Sequence, residues 1–547
     1  MSKANIASHL PLMASAQPDT LAVAVQGSGT EYPRYTYKEL DDISDIIANG
    51  LQEHGIVKGT RTVLMVTPGL EFFALVFALF KIGAVLVAID PGMGVKNLGS
   101  CLEEAEPEAF IGVRRAHLGR IMFGWARKTL RKNIVVEAQT LMGLFMTSFA
   151  QVEKRGRESN QAAMNPVEEN DAAAILFTSG STGIPKGVNY THGNFSAQVE
   201  TLKTLYNIEP GEVDVATFPL FALFAPAMGM TSIIPDMDFT RPGSVDPEKI
   251  QRAIQDFKAT TMFGSPALIN RVGRWGADKG VTFPSLKRVL CAGAPVPRAV
   301  IERFSHLLAD EAELYTPYGA TESLPVSSIG SKQVLNETGA KTSEGHGVCV
   351  GQIVKGLEAK IIKISDDAIP VIEESMLQAS NEIGEIIVRG AQVTASYYNK
   401  QQATDLAKIA DGAGSFYHRM GDLGYFDDKG RLWFCGRKSE RIELEDISLF
   451  TICCEGVFNT HERVFRSALI GLQQEGKNKA AICIELEADS QYSKQSVIIQ
   501  ELKDIGARYP HTAMIQDFFI HPGFPVDIRH NAKIGRRQLA EWAAEQS

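Results

Sequence analysis

The sequence predicts an α/β protein with mostly parallel sheets, built as a large N-terminal domain of layered sheets and helices followed by a small α+β C-terminal domain. Short apolar runs rich in Val, Ile and Leu alternate with amphipathic segments, as in successive β-α units. The 547 residues, 44% of them hydrophobic, exceed what a single small module needs. From about Gly384 onward the pattern changes to strands and a hairpin.

The predicted parallel strands are apolar runs that end at polar or turn residues. They are 62–66, 84–89, 172–177, 259–263 and 288–291. After them the sequence predicts a strand over 384–390 and a hairpin within 424–434, whose turn contains Asp-Lys-Gly.

Two apolar stretches are long enough to imitate a membrane span. In residues 72–89, Lys81 and Gly83 interrupt the run, so we expect a helix over 72–80 followed by a buried strand. Residues 215–235 contain Pro219 and Pro226, which break an isolated helix. Neither stretch is therefore predicted to cross a membrane. For residues 215–235, the wall of an apolar pocket and ordinary core packing both stay open.

The overall charge does not favour nucleic acid as a partner. Lys and Arg number 55 against 64 Asp and Glu, which gives a net charge of −9. The seven cysteines are scattered and odd in number, as expected of reduced thiols in the cytosol. The first residues form no signal-peptide run, so we expect a cytoplasmic protein.

Residues 114–132 are basic, with seven Lys or Arg and no acid. Leu118, Ile121, Met122 and Trp125 are spaced for one helical face, which predicts a solvated helix with a buried apolar stripe. The alternative is a docking surface for an acidic partner or an anionic membrane, which would allow peripheral membrane association at most.

A loop rich in glycine and hydroxyl residues follows the apolar run 172–177. Backbone N–H groups, hydroxyls and one lysine converge there in a way that suits a polyphosphate. The spacing differs from a Walker loop, because the lysine precedes a glycine rather than following one. The residues in question are Thr178, Ser179, Gly180, Ser181, Thr182, Gly183 and Lys186.

This loop resembles the phosphate loop of the adenylate-forming superfamily, which includes acyl-CoA synthetases, luciferases and nonribosomal adenylation domains. Five further segments resemble that family's motifs: 293–295, 316–322, 421–426, 436–437 and 531–539. Together, the six are far more specific than any one of them.

The resemblance implies a role for each matching residue. Gly293, Ala294 and Pro295 would form the adenine-side loop, and Tyr318, followed by Gly319, would stack on adenine. Thr321 would contact the α-phosphate, and Glu322 would hold Mg²⁺. Asp422 would bind the ribose hydroxyls, and Arg437, at the interdomain hinge, would reach the ribose or phosphate. An aromatic face suits a purine and a carboxylate suits Mg²⁺, so the chemistry agrees.

The same resemblance implies ATP as the nucleotide and Lys533 as the lysine that stabilises adenylate formation. Residues 1–435 would bind ATP and the acyl substrate, and residues 436–547 would form a mobile domain that carries Lys533. Positioning and charge neutralisation would do most of the catalysis.

Five further segments extend the resemblance: 217–224, 234–238, 263–268, 433–438 and 521–531. With them the chain resembles, over nearly its whole length, the olefin-biosynthesis β-lactone synthetases. These enzymes activate a long-chain 2-alkyl-3-hydroxyacid, whose own hydroxyl then displaces AMP. The thiolase, dehydrogenase and decarboxylase of that pathway are implied as associates. Ser439 and Glu443 stand where CoA-dependent members commonly have Asp and Lys, which agrees with a reaction that needs no thiol.

Two alternatives to this function stay open: a fatty acyl-CoA or acyl-AMP ligase, and an inactive nucleotide-binding scaffold. The base that accepts the hydroxyl proton is also open. His192 is a candidate because a neutral imidazole can act near neutral pH, while a structural histidine is the commoner outcome.

Overall fold

The structure is a computed structural model that describes residues 4–27, 31–137, 146–178, 185–474, 476–488, 494–526 and 533–546. The strands, in chain order, are β1 Leu21–Val25, β2 Arg34–Thr36, β3 Arg61–Met65, β4 Val85–Ala88, β5 Ala109–Gly112, β6 Lys132–Val135, β7 Thr147–Ser148, β8 Ala172–Thr178, β9 Lys186–Thr191, β10 Val213–Ala216, β11 Thr231–Ile234, β12 Thr261–Gly264, β13 Arg288–Cys291, β14 Glu313–Ala320, β15 Ser323–Gly330, β16 Val348–Ile353, β17 Leu357–Ile362, β18 Gly384–Gly390, β19 Lys408–Ala410, β20 Phe416–Phe426, β21 Leu432–Arg437, β22 Ile442–Glu443, β23 Ser448–Leu449, β24 Val464–Gln474, β25 Lys477–Leu486 and β26 Asp517–Ile520.

Helices cover these sheets. They are α1 His9–Ala16, α2 Tyr37–Glu53, α3 Leu70–Lys81, α4 Val95–Ala105, α5 Arg114–Phe123, α6 Phe149–Glu158, α7 His192–Tyr206, α8 Pro219–Ala222, α9 Phe224–Met228, α10 Pro247–Phe257, α11 Pro266–Lys279, α12 Arg298–Ser305, α13 Ser331–Gln333, α14 Gly339–Ser343, α15 Gln401–Ala407, α16 Thr451–Phe458, α17 Gln495–Gly506 and α18 Arg536–Ala544.

The largest sheet joins a parallel half to an antiparallel half. Its order is β17-β18-β20-β21-β16-β15-β14-β13-β12-β10-β11-β1-β2, with β19 beside β20. From β1 through β11, β10, β12 and β13 to β14 the neighbours are parallel, and β14 turns back antiparallel into β15. The carboxyl ends of the parallel strands therefore open onto one edge, where ligands bind in open α/β sheets.

A second sheet has the order β7-β6-β5-β3-β4-β8-β9, and helix α3 packs between it and the large sheet. All residues of α3 from Phe72 to Lys81 are buried, which explains why the helix is apolar on every side. Its one ammonium group, on Lys81, is neutralised by Asp41 at 2.6 Å and by Asp45. Helix α3 followed by β4 confirms the helix and buried strand predicted within residues 72–89.

The predicted strands are confirmed with shifts of one or two residues at their ends. Strand β18 matches the prediction, and β20 and β21 form the predicted hairpin with Gly430 at positive φ in its turn. Among the described residues, no helix is both long and apolar enough to cross a bilayer.

The residues after the large sheet pack among themselves. Strands β24, β25 and β26 form a separate sheet, and two apolar clusters within residues 442–543 lie on its faces. Strand β21 continues to Arg437, two residues beyond the predicted end of the first domain. The division into two domains stays a prediction.

The expected buried stripe of the basic segment is wrong. Helix α5 ends at Phe123, and Leu118, Ile121 and Met122 are exposed. Trp125 is buried, but it lies beyond the helix. The helix is instead anchored by His117, whose spacing in the sequence gave no hint of burial.

Helices α2 and α6 approach each other closely through two glycines. A Cβ atom on Gly156 would lie 1.8 Å from the carbonyl oxygen of Ile46, and one on Gly50 would lie 2.0 Å from that of Val152. Since backbone atoms form both contacts, a side chain there forces the helices apart.

Gly156→Ala is expected to destabilise the protein by about 3 kcal/mol, because overpacking displaces a helix rather than a flexible side chain. Urea unfolding followed by circular dichroism measures the change. The control is Gly69→Ala, where the nearest atom to the new Cβ is 3.7 Å away. Equal unfolding midpoints for the two variants would show that the close approach does not constrain the fold.

Candidate functional site

A cavity of about 2250 Å³ opens at the carboxyl ends of the parallel strands of the large sheet. The segments that follow β10, β12 and β13 line it, together with the turn between β14 and β15. These are the places where a parallel sheet leaves side chains and backbone free to contact a ligand.

Most of the predicted site residues line this one cavity. They are Lys186, Gly293, Ala294, Pro295, Tyr318, Gly319, Thr321, Glu322, Asp422, Arg437 and Lys533. Ser179, Gly180, Ser181, Thr182 and Gly183 lie outside the described residues. Thr178 is the last residue of β8, and only its backbone is described.

Asp422 is buried and accepts hydrogen bonds from two other predicted residues. The Tyr318 hydroxyl donates to its Oδ2 at 2.6 Å, and the Arg437 guanidinium pairs with its Oδ1. Register pairing of Asp422 with Arg437 across β20 and β21 brings these two together. Burial and the adjacent Asp422 raise the pKa of Tyr318, so its hydroxyl stays protonated as a donor.

Glu322 lies at the turn between β14 and β15, where a tyrosine that no motif indicated holds it. The Tyr397 hydroxyl donates to Glu322 Oε1 at 2.6 Å. The Lys186 Nζ atom lies 5.1 Å from the centroid of the same tyrosine ring. Tyr397 therefore connects Lys186, the lysine of the predicted phosphate loop, with the predicted magnesium ligand.

The backbone of this turn is held from both sides. The Tyr190 hydroxyl donates to the carbonyl oxygen of Thr321, and the N–H of Thr394 donates to that of Glu322 at 2.9 Å. Behind Thr394, the half-buried Lys408 donates from its Nζ atom to the carbonyl oxygen of Thr394. Burial lowers the pKa of Lys408 to about 7 against the opposing effect of Glu322. None of these supporting residues follows from the sequence pattern.

His192 is buried at the start of α7 and is not among the residues that line the cavity. Its Nδ1 accepts a hydrogen bond from the N–H of Ile6 at 3.3 Å, and its ring lies 6.2 Å from that of Phe80. Burial lowers its pKa to about 4. The packing favours the structural alternative for this histidine over the predicted role as a base.

The far part of the cavity is apolar and aromatic. Phe218, Phe221 and Phe224 line it, and the ring of Phe263 stacks on Phe221 with centroids 4.6 Å apart. Side chains of α3, including Phe77, line it as well. Each of the two alternatives therefore holds for part of residues 215–235: the middle of the stretch lines the pocket, whereas Val215 at one end and Ile233 and Ile234 at the other pack in the core.

Charge pairs hold residues 437–443, the predicted hinge segment, which is called the hinge segment below. The Lys438 ammonium lies 3.2 Å from Glu385, and Arg441 pairs with Asp366 at 2.6 Å. Glu440 pairs with Arg536 at 2.9 Å, three residues beyond Lys533. Gly436 precedes the segment with φ +132°, and a Cβ there would meet Thr451 Oγ1 at 2.3 Å. Ser439 and Glu443 take no part in the pairs that join this segment to Glu385 and Arg536.

The chain matches one protein family and shares its fold with solved structures. The family of AMP-binding enzymes matches residues 12–398. Olefin beta-lactone synthetases of Xanthomonas campestris pv. campestris and Stenotrophomonas maltophilia are each 45% identical to the chain, over 99% of it and 98% of their own lengths.

Two solved structures share the architecture. The amide bond synthetase McbA from Marinactinospora thermotolerans superposes with a TM-score of 0.80 at 18% identity, covering 98% of this chain and 99% of that one. The O-succinylbenzoate coenzyme A synthetase of Bacillus subtilis, in complex with AMP, gives 0.73 at 19% identity, covering 97% of each chain. The predicted adenylate-forming fold is confirmed.

The buried neutral state of His192 predicts a pH dependence of stability. Because the folded pKa is about 4 and the ordinary value is 6.5, the unfolded chain binds more protons between these pH values. Stability contributed by the neutral ring is full above pH 6.5 and falls by up to about 3 kcal/mol as the pH drops to 4. His192→Asn, whose Oδ1 can accept from Ile6, should flatten this slope in urea unfolding.

The exposed His346 provides the control, since His346→Asn should leave the slope as it is in the wild type. A slope unchanged in His192→Asn, together with a loss of turnover at pH 8, would instead indicate the catalytic role.

Proposed function

Because the chain belongs to the AMP-binding enzymes, and within them groups with the olefin beta-lactone synthetases, we propose that it converts a long-chain 2-alkyl-3-hydroxyalkanoic acid to a β-lactone in long-chain olefin biosynthesis. The chain is an adenylate-forming ligase. In the proposed reaction, ATP activates the acid, and pyrophosphate and AMP are released in turn. Other enzymes of that pathway would supply the hydroxyacid and consume the lactone.

One observation carries this proposal: the polar residues of the predicted nucleotide site and a large apolar chamber line the same cavity. Its volume of about 2250 Å³ exceeds the 300–1,000 Å³ typical of small-molecule sites. A substrate with two alkyl chains needs such space next to the point where its carboxylate meets the nucleotide.

The first step forms an acyl-adenylate. The substrate carboxylate attacks the α-phosphorus of ATP, and the bond to the pyrophosphate oxygen breaks. We infer that Lys533, exposed on the cavity wall, and Lys186 neutralise charge on the phosphate oxygens, while Thr321 contacts the α-phosphate. Tyr318 and Asp422 would position the adenosine.

The second step needs no external acceptor. The substrate's 3-hydroxyl oxygen attacks the acyl carbonyl, the bond to AMP breaks, and the hydroxyl proton is lost as the four-membered ring closes. Because the nucleophile is already part of the substrate, positioning in the apolar chamber is the main contribution of the protein to this step. Exclusion of water protects the reactive anhydride from hydrolysis.

Mg²⁺ is expected to accompany ATP, and Glu322 fits it as a ligand. Its carboxylate lines the cavity and is a hard oxygen donor, and Tyr397 occupies Oε1 with a hydrogen bond that fixes its orientation. When bound, the ion would neutralise charge on the phosphates.

The test is a reaction of purified protein with ATP and a 2-alkyl-3-hydroxyalkanoic acid, with and without CoA. We expect lactone, AMP and pyrophosphate in equal amounts without CoA. Lys533→Ala should slow formation of all three at least about 100-fold, because the charge stabilised in the transition state loses its partner. The matched control is Arg537→Ala, a strongly exposed residue four positions further on.

Each alternative predicts a different outcome of that experiment. An acyl-CoA ligase would form a thioester and depend strictly on CoA. An acyl-AMP ligase would stop at the acyl-adenylate. An inactive scaffold would bind ATP, but neither the wild type nor Lys533→Ala would release pyrophosphate.

Tyr397→Phe tests the support of Glu322. Loss of one hydrogen bond to the carboxylate should lower kcat/KM for ATP about tenfold and raise the Mg²⁺ concentration needed for half-maximal rate. Tyr398→Phe is the matched control, because the hydroxyl group of Tyr398 forms no hydrogen bond among the described residues. An unchanged Mg²⁺ requirement in Tyr397→Phe would separate this tyrosine from metal binding.

A further inference from the structure

The basic apolar face, residues 114–131, combines exposed apolar side chains with cations on the surface of the second sheet's layer. Four successive or nearly successive apolar residues of α5 are exposed: Leu118 by 48%, Ile121 by 55%, Met122 by 72% and Phe123 by 50%. Scattered exposed apolar residues are ordinary, but a cluster of this kind on one short helix marks an interaction surface.

Contacts on the buried side of α5 fix its orientation, and this orientation leaves the apolar side chains exposed. His117 is fully buried, with its Nε2 3.0 Å from the carbonyl oxygen of Ile134 and its ring 4.9 Å from that of Phe110. Gly124 ends the helix in the left-handed conformation, and Phe123 stacks on the buried Trp125 with centroids 5.5 Å apart. Turning the apolar residues inward would break these contacts.

Cations flank the apolar cluster on both sides along the chain. Arg114 and Arg115 precede it, and Arg127, Lys128 and Arg131 follow it, all with exposed side chains. Within the described ranges, none of these five forms an ion pair with a carboxylate side chain; Glu137 accepts a hydrogen bond from the backbone N–H of Arg114. In a chain with a net charge of −9, such a local concentration of positive charge favours an anionic partner.

The inner side of the same helix forms part of the cavity wall. Ala116 and Gly119 of the helix line the cavity, as do Arg115 at its start and Trp125 just beyond its end, so the cavity extends to beneath the exposed apolar residues. An acidic protein surface would satisfy the cations, but it would leave the apolar cluster without a matching environment. A lipid surface offers both anionic headgroups and an apolar layer.

We propose that the basic apolar face docks on the surface of an anionic lipid bilayer. Leu118, Ile121, Met122 and Phe123 enter the boundary between headgroups and acyl chains, and the flanking arginines and lysine contact the lipid phosphates. This interaction needs neither ATP nor acid substrate, so its failure would leave the proposed reaction standing.

The experiment is co-sedimentation of the full-length protein with vesicles of phosphatidylcholine containing phosphatidylglycerol, compared with vesicles of phosphatidylcholine alone. Binding is expected to the anionic vesicles only, and to weaken as salt is raised. Leu118→Ser/Met122→Ser and Arg114→Gln/Arg127→Gln/Lys128→Gln should each weaken it at least about tenfold. Leu12→Ser/Met514→Ser, which changes exposed apolar residues elsewhere, should bind as the wild type does.

A second experiment measures a gain of fluorescence signal, so its result does not depend on variants that lose binding because they fold poorly. All seven native cysteines are buried, so a polarity-sensitive dye attached to Met122→Cys reports on one site, with Met514→Cys as the control. A blue shift on anionic vesicles for Met122→Cys alone supports the proposal. Equal binding to neutral vesicles, equal shifts at both sites, or capture by polyglutamate without any vesicle binding would overturn it.

Discussion

The neutralisation of one buried carboxylate organises the polar half of the cavity. Asp422 lies in β20, and its charge is balanced by Arg437 at the end of β21 and by the hydroxyl of Tyr318 in β14. Removing the arginine or the tyrosine would leave the buried carboxylate without one of its partners, so the three segments constrain one another. Arg437 is also where the chain leaves the large sheet, so the residues predicted to hold the nucleotide and the start of the hinge segment depend on the same interaction.

The apolar half rests on a different constraint, the packing of α3 between two sheets. Its residues contribute to the main core on one side, and Phe72, Val76, Phe77 and Phe80 reach the cavity on another. The helix can do both because it is apolar all round, the feature that made it resemble a membrane span in the sequence. Residues of the core therefore also form this wall of the cavity, so the wall is packed as closely as the core.

The sequence predicted the elements well where a local pattern records them. Buried parallel strands appear as apolar runs, and residues 293–295 follow one of them, so the parallel half of the sheet accounts for their place at its edge. Asp422 and Arg437 reach the same cavity through the antiparallel pairing of β20 with β21. Tyr397, Tyr190 and Lys408 escaped prediction because each acts on a residue more than ten positions away, and such pairings leave no periodic trace. The stripe in α5 was misjudged because helical spacing shows which residues share a face, and not whether that face meets protein or solvent. His192 is a related case. Its residue type suggested a catalytic base, and only its burial in the structure indicated a packing role.

The pairing of Arg536 carries a mechanical consequence for the far end of the chain. This guanidinium joins Glu440 in the hinge segment to Glu455 in α16, only three positions after Lys533. If the C-terminal region turns about the predicted hinge, we expect Arg536 to keep α16 and the neighbourhood of Lys533 moving as one body, because both of its ion pairs would otherwise break.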